Sequence, residues 1–276
     1  MLKETMDLSS AKADAGAVLM DLGLRDKIVL VTGGSKGIGL ACAAAFLSEG
    51  AKVAIVSRSA DNIARAKLEL GNVLGLVADL ADPLQAAHIV ETVERDLGAI
   101  DVLVNSAGAA KRTPPDDLTP DVWHAAMSAK YFTYIYVIDP MIKLMARRNA
   151  GVIVNVIGNG GKVASPVHLP GGSANAALML ATAGLATAYA PRGVRVVGVN
   201  PGLTETSRVA EGFAVDARLS GISVEETSAR ALAKIPIGRM AEPKEIADVV
   251  VFLASARASY VSGVNIAMDG VANAVI

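Results

Sequence analysis

Six short runs, almost wholly apolar and rich in Val and Ile, recur along the chain at residues 27–32, 52–57, 73–77, 102–105, 152–157 and 194–200, with a shorter one at 264–268. None alternates apolar with polar residues, so each is expected to be a strand covered on both faces. Longer stretches of helical character separate them, at 37–48, 60–70, 83–97 and from 120 onward. Strand and helix in strict turn predict parallel pairs joined by right-handed crossovers, with helices on both sides. The expected fold class is α/β, a doubly wound, Rossmann-like parallel sheet. No linker-like tract or internal repeat divides the chain. Residues 21–276 are therefore expected to form one domain, with residues 1–20 an appended arm.

Composition removes several functions. Basic residues number 26 and acidic residues 27, so there is no cationic excess for a nucleic-acid backbone. With 52% hydrophobic and 19% charged residues, a large core is expected rather than disorder. The single Cys, Cys42, excludes an internal disulfide framework and is expected to be a small packing residue. No metal site is expected, and a reducing, cytoplasmic location fits. Lys3, Glu4, Asp7, Lys12 and Asp14 interrupt any apolar core a signal peptide would need. Residues 163–191 carry no formal charge, but their continuous apolar part, 176–190, is shorter than the roughly 20 residues a membrane span requires. It reads as a helix buried on several sides, at a subunit contact.

The most informative string is TGGSKGIG at residues 32–39, set between a strand and a helix. Gly33, Gly37 and Gly39 let the backbone turn tightly and approach a pyrophosphate at a helix N-terminus. An NAD site places an acid at the end of the second strand, to accept from the ribose hydroxyls. Here Ser57 stands there, followed by Arg58, and Lys36 precedes the second glycine. Cations and hydroxyls suit a 2′-phosphate, so NADP(H) is the expected cofactor.

The spacing Gly33-x-x-x-Gly37-x-Gly39 resembles that of the short-chain dehydrogenase/reductase family. The resemblance continues through Asp79-Leu80, Asn105-Ser106-Ala107-Gly108, Asn200-Pro201-Gly202 with Thr206, and residues 236–269. It implies an oxidoreductase acting on a small-molecule substrate, assembled as a homotetramer or dimer. The cofactor-binding set it implies, together with the cation argument, is Gly33, Ser35, Lys36, Gly37, Ile38, Gly39, Ser57, Arg58, Asp79, Leu80, Asn105, Ala107, Gly108, Pro201, Gly202 and Thr206.

The family's catalytic Asn, Ser, Tyr and Lys do not carry over. Counting from Trp123 and from the end of the fifth strand, their places fall on Lys130, Gly158, Gly171 and Asn175. Lys130 lies in an apolar stripe with Trp123, Met127, Tyr134, Val137 and Met141, on a helix expected to start at Thr119–Asp121. Its stem can rest on the core with the ammonium in solvent, or it can serve the site. His168 is the acid–base candidate by residue type, in a loop with Pro166 and Pro170; Tyr131, Ser173 and Lys162 are further options. Lys130 and His168 are the catalytic residues this reading selects. The run Gly158-Asn159-Gly160-Gly161 offers backbone N–H donors for an oxyanion or carboxylate. Residues 203–223 are expected to form a flexible lid, with Arg208, Glu211 and Phe213 near substrate. Three accounts stand: relocated acid–base groups acting on a carbonyl; a substrate such as an activated alkene or imine that needs little acid help; or a silent or non-redox NADP-binding protein.

Overall fold

The computed structural model describes residues 20–108 and 110–274. Most of the expected N-terminal arm lies outside the described residues. Seven parallel strands form one sheet: β1 (Ile28–Thr32), β2 (Lys52–Ser57), β3 (Leu74–Val77), β4 (Val102–Asn105), β5 (Gly151–Val156), β6 (Val194–Pro201) and β7 (Asn265–Met268). Their order is β3-β2-β1-β4-β5-β6-β7. The chain runs outward one way from β1 and then the other way from β4. A crevice therefore opens at the carboxyl ends of β1 and β4, where the direction reverses.

Alternate strand residues feed two cores, as the two-residue strand period requires. Val29, Val31, Val53, Ile55, Val154 and Val199 face α1 (Gly37–Ser48) and α9 (Pro243–Ala254). Leu30, Ala54, Leu103, Ile153 and Val196 face α3 (Pro83–Asp96), α5 (Thr133–Arg148) and α6 (Leu169–Tyr189). The second helix, α2 (Ala60–Leu70), is capped by Ser59, whose hydroxyl accepts from Asn62 N at 3.2 Å. Cys42 is fully buried in the first core, and burial pushes its thiol up to about 12. Asn105 Nδ2 donates to Asn155 Oδ1 (3.0 Å), and Asn155 Nδ2 donates to Thr182 Oγ1 (3.0 Å). This chain satisfies polar groups across three adjacent elements where water is absent.

Three segments depart from the sequence reading. The helix expected from Thr119 is broken. It runs as α4 (Pro120–Ala126), passes through a π-helical stretch at Met127–Phe132, and resumes as α5. The wide turn shifts the phase of the stripe, so Lys130, Tyr134, Val137 and Met141 are buried while Trp123 is 37% exposed. The apolar helix begins earlier than expected. Pro170 sits in the first turn of α6, where its missing N–H costs nothing, so His168 is at a helix entry rather than in a loop. The region read as a flexible lid, 203–223, is mostly helix α7 (Ser207–Ser220), and α8 (Val224–Leu232) follows it. Phe213 is buried within it and does not face the crevice. No described helix is long and apolar enough to cross a membrane.

Candidate functional site

A cavity of about 510 Å³ occupies the crevice. One end lies at β2 and β3, against Ser57, Arg58, Asn62, Asp79 and Leu80. Its middle runs over Gly33–Ile38 and Ser106–Gly108. Its far end is closed by Ala129, Lys130, Val156–Gly158, Pro201, Gly202 and Thr206–Val209.

Glycines shape the middle because backbone must meet backbone there. Gly33 has φ +66°, and a Cβ on it would lie 2.8 Å from the backbone of Ser106 and Ala107. Gly39 packs its Cα against the Gly33 carbonyl, which brings the N-terminus of α1 down onto the turn. Thr32 Oγ1 accepts from Ser106 N (3.2 Å) and Ala107 N (3.4 Å), tying the turn after β1 to the turn after β4. Gly39 and Asn105 therefore lie beneath the cavity floor, whereas the other fourteen residues of the expected cofactor set line it. The first N–H groups of α1 have no intrahelical partners, and its first turn carries no acid, so an anion is favoured there. Arg58 and Lys36 are exposed at the rim, and among the described residues neither is in an ion pair. The donor set fits a phosphorylated dinucleotide: small backbone turns for a pyrophosphate, then hydroxyl and cations without a carboxylate at the end of β2.

The far end holds a buried amine. Lys130 Nζ donates to Tyr134 Oη (2.9 Å) and to the Val156 carbonyl (3.1 Å), and lies 4.5 Å from the Tyr134 ring centre. Tyr134 Oη itself donates to the same carbonyl. Burial, and then the nearby Arg208 guanidinium, bring the Lys130 pKa down to about 7. Burial holds the Tyr134 phenol far above its ordinary value. Thr133 Oγ1 donates to the carbonyls of Lys130 (3.0 Å) and Ala129 (3.3 Å), which steadies the wide turn that aims the lysine inward. Thr133 went unnoticed in the sequence, and its threonine-after-wide-turn pattern is the only local trace of that geometry.

His168 lies beside the cavity rather than on its lining. Its ring covers Gly171, where an added Cβ would sit 2.5 Å from Nε2. Its Nδ1 is buried with no partner among the described residues. Burial first, then Arg112 and Lys130, lower its pKa, so the ring is neutral at pH 7. Gly158, at φ +121°, and Gly160 both approach Asn175 Nδ2, at 3.4 Å from an added Cβ. Gly160 and Gly172 also let the loop after β5 press onto α6: a Cβ at Gly172 would lie 2.7 Å from the Gly160 carbonyl. Gly160 and Gly172 serve packing, while Gly158 lines the cavity. Asn159 Nδ2 donates to Asp269 Oδ2 (2.6 Å), pinning the same loop to the end of β7. Tyr131, Ser173 and Lys162 are not on the cavity lining.

The fit between Gly171 and His168 makes a prediction. Gly171→Ala places a methyl in the ring and is expected to cost about 1–3 kcal/mol by overpacking. In a His168→Ala background the same change should cost less, because the ring is gone and only the Ala110 Cβ, 2.8 Å from the new methyl, still has to give. A thermal-unfolding double-mutant cycle measures the difference; equal costs in both backgrounds would contradict this packing.

Helix α7 closes over the far end. Arg208 Nη1 donates to the Gly108 carbonyl (3.2 Å), and Arg112 pairs with Asp216. Arg208 and Glu211 line the cavity. Among the described residues no group of three or more His, Cys, Asp or Glu side chains is placed to hold a metal ion.

Comparison with known proteins follows the same lines. A family model described as enoyl-(acyl carrier protein) reductase matches residues 33–271. The 2-(S)-hydroxypropyl-CoM dehydrogenase 3 of Xanthobacter autotrophicus is 33% identical over 251 residues, covering 90% of this chain and 96% of the relative. The actinorhodin polyketide ketoreductase with NADPH superposes with a TM-score of 0.88 at 27% identity, over 91% of this chain and 98% of the other. The NADPH-bound short chain oxidoreductase from Pseudomonas aeruginosa PAO1, which contains an atypical catalytic center, gives a TM-score of 0.81 at 30% identity, over 91% and 98%.

Proposed function

The chain belongs to the short-chain dehydrogenase/reductase family, and from that premise we propose that it is an NADP(H)-dependent oxidoreductase working through an atypical active site. The observation that carries the proposal is the continuity of one cavity from Ser57 and Arg58 to the buried ammonium of Lys130. Ser57, Arg58 and Lys36 would hold the 2′-phosphate, and the turn at Gly33–Gly37 the pyrophosphate. The relatives with bound NADPH support this choice. When bound, the cofactor supplies the hydride.

The remaining work falls to side chains of this protein. Positions that would carry the family's Ser, Tyr and Lys hold Gly158, Gly171 and Asn175, none of which can give up a proton at neutral pH. Lys130 is the acid within the cavity. Held by Tyr134 and the Val156 carbonyl at the cavity lining, its ammonium would polarise an oxygen or nitrogen placed beside it and donate a proton to it. General acid help of this kind is worth about 10²–10⁴ in rate. His168 is assigned the second acid–base place, behind Gly171, as a neutral imidazole that passes a proton toward that end. Gly158 leaves the wall open for a bulky carbonyl, activated alkene or imine. The uncharged exposed surface of α6, with Ala176, Leu180 and Gly184, supports assembly as a homo-oligomer.

A second reading, a non-redox or silent NADP-binding protein, is favoured by two observations: His168 is off the lining, and Lys130 Nζ already serves two internal acceptors. Titration with NADPH followed by its consumption across ketones, enones and imines separates the two. Binding with turnover of at least one class supports the oxidoreductase. Binding without turnover of any class supports the second reading, and absence of binding overturns both.

A further inference from the structure

The buried ammonium at the closed end of the cavity bears on which redox state of the cofactor the site holds, a question that rests on the reading that NADP(H) fills the cavity. Ser57, Arg58 and Asn62 occupy the β2 end, so the nicotinamide has only the opposite end, at Lys130, Val156 and Pro201, to enter. The two redox forms differ chiefly in that ring, which carries a positive charge when oxidised and none when reduced. Phosphates and ribose are common to both, so their interactions cancel in a ratio of affinities.

The charges facing that end can be counted element by element. The π-helical stretch brings Lys130, and α5 brings the Tyr134 phenol. Strand β5 brings only the Val156 carbonyl. The entry to α6 brings His168, neutral at pH 7. Helix α7 brings Arg208 and Glu211, along with Asp216, which is paired to Arg112 of the loop after β4. Lys111 of that loop is exposed. Among the described residues no carboxylate bonds to either Lys130 or Arg208. The end is thus cationic while Lys130 is protonated and close to balanced when it is not.

We propose that Lys130 makes the site select the reduced cofactor, and that binding of the oxidised form drives the proton off Lys130. The ammonium repels a positively charged ring and tolerates a neutral one. After hydride transfer, loss of the ammonium proton to product leaves a neutral amine beside the oxidised ring. Proton and charge changes then compensate within the cavity. Because Lys130 titrates near pH 7, the selection is strong in mild acid and fades in mild base.

The test is the ratio of dissociation constants for NADP⁺ and NADPH, measured by calorimetry at pH 6 and pH 8.5 on the intact protein. The ratio is expected to fall about tenfold or more between the two, the size expected of one unit charge acting across a few ångströms in a partly shielded site. NADP⁺ binding at pH 7 should also release more protons than NADPH binding, read from titrations in buffers of different ionisation enthalpy. Lys130→Met should flatten the pH dependence, and Lys130→Arg should keep the high ratio at both values. A flat ratio in the wild type, with both forms bound, overturns this inference and leaves the proposed function standing. A slope that survives in Lys130→Met assigns it to another group, His168 first, and also overturns it. If neither form binds, the proposed function fails and the inference with it.

Discussion

Replacing Lys130 with methionine is expected to stabilise the protein by about 1–3 kcal/mol while cutting turnover by about 10²-fold or more. The stabilisation follows from what the amine leaves behind. Lys130 is buried, and among the described residues no carboxylate bonds to it to offset its desolvation. Removing one partner from a buried pair normally orphans the other. Here it does not, because Tyr134 Oη already donates to the Val156 carbonyl. Methionine keeps the aliphatic stem and its packing against the Tyr134 ring. The catalytic loss follows because, among the described residues, Glu211 on α7 is the one other acid lining that end of the cavity.

The same substitution should remove a pH dependence. The ordinary lysine value of 10.5 falls to about 7 in the folded chain. Between those limits the unfolded chain binds a proton that the folded chain has released. Stability therefore rises with pH from about 7 toward 10, and the full penalty for burying the charge is present below 7. Thermal unfolding at pH 6.5 and 9 should show this rise in the wild type and a smaller one in Lys130→Met. Reduction of a carbonyl by the wild type should be fastest below about pH 7 and decline above it, as the ammonium is lost. A variant that is less stable than wild type, or that keeps its turnover, would show Lys130 to be a structural residue.

The strands were legible because β-branched runs covered on both faces leave little choice of structure. The end of β2 at Ser57 and the start of α1 at Gly37 fall where the residues themselves placed them. What the sequence did not reveal depends on contacts between distant segments. Nothing in Met127–Phe132 announces a π turn: it contains neither Gly nor Pro. The cause lies at Gly108, whose missing Cβ admits the Ala129 carbonyl directly over its Cα. A Cβ there would meet that carbonyl, so the widened turn that carries Lys130 inward needs a glycine at 108, far from it in the sequence. His168 was picked out by residue type, but its position over Gly171 arises from Pro170 starting a helix, a preference that was visible and read as a loop stiffener. Helix α8 carried its own signal, Ser223 followed by Glu226, where the Ser223 hydroxyl accepts from Glu226 N at 3.1 Å. That signal lies at the far edge of residues 203–223, the stretch with a weak core pattern, where α7 buries only Phe213 and Ala217 and so gives little hydrophobic periodicity to read.

The second large effect is expected at Arg58. Arg58→Asp should weaken NADPH binding by about 10²-fold or more and strengthen NADH binding several-fold, inverting the preference of the site. A charge-assisted hydrogen bond contributes about 1.5–3 kcal/mol, and an aspartate adds repulsion of the 2′-phosphate to that loss. In exchange it offers an acceptor to the free ribose hydroxyls of NADH. The fold should not suffer. Arg58 is exposed, and the cap of α2 comes from Ser59, which the change leaves in place. Surface substitutions of this kind usually stay within about 0.5 kcal/mol. Wild-type affinity for NADPH should weaken with added salt, and that sensitivity should diminish in the variant, because an exposed cation–phosphate attraction is screened over about 10 Å at 0.1 M. Lys36→Ala should give a smaller shift in the same direction, since Lys36 lies across the rim as a point charge without the planar fork of Arg58. Titrations with both cofactors at two salt concentrations make the comparison. Unchanged NADPH affinity in Arg58→Asp would move the 2′-phosphate away from the end of β2, and with it the argument that an absent acid at Ser57 selects the phosphorylated cofactor.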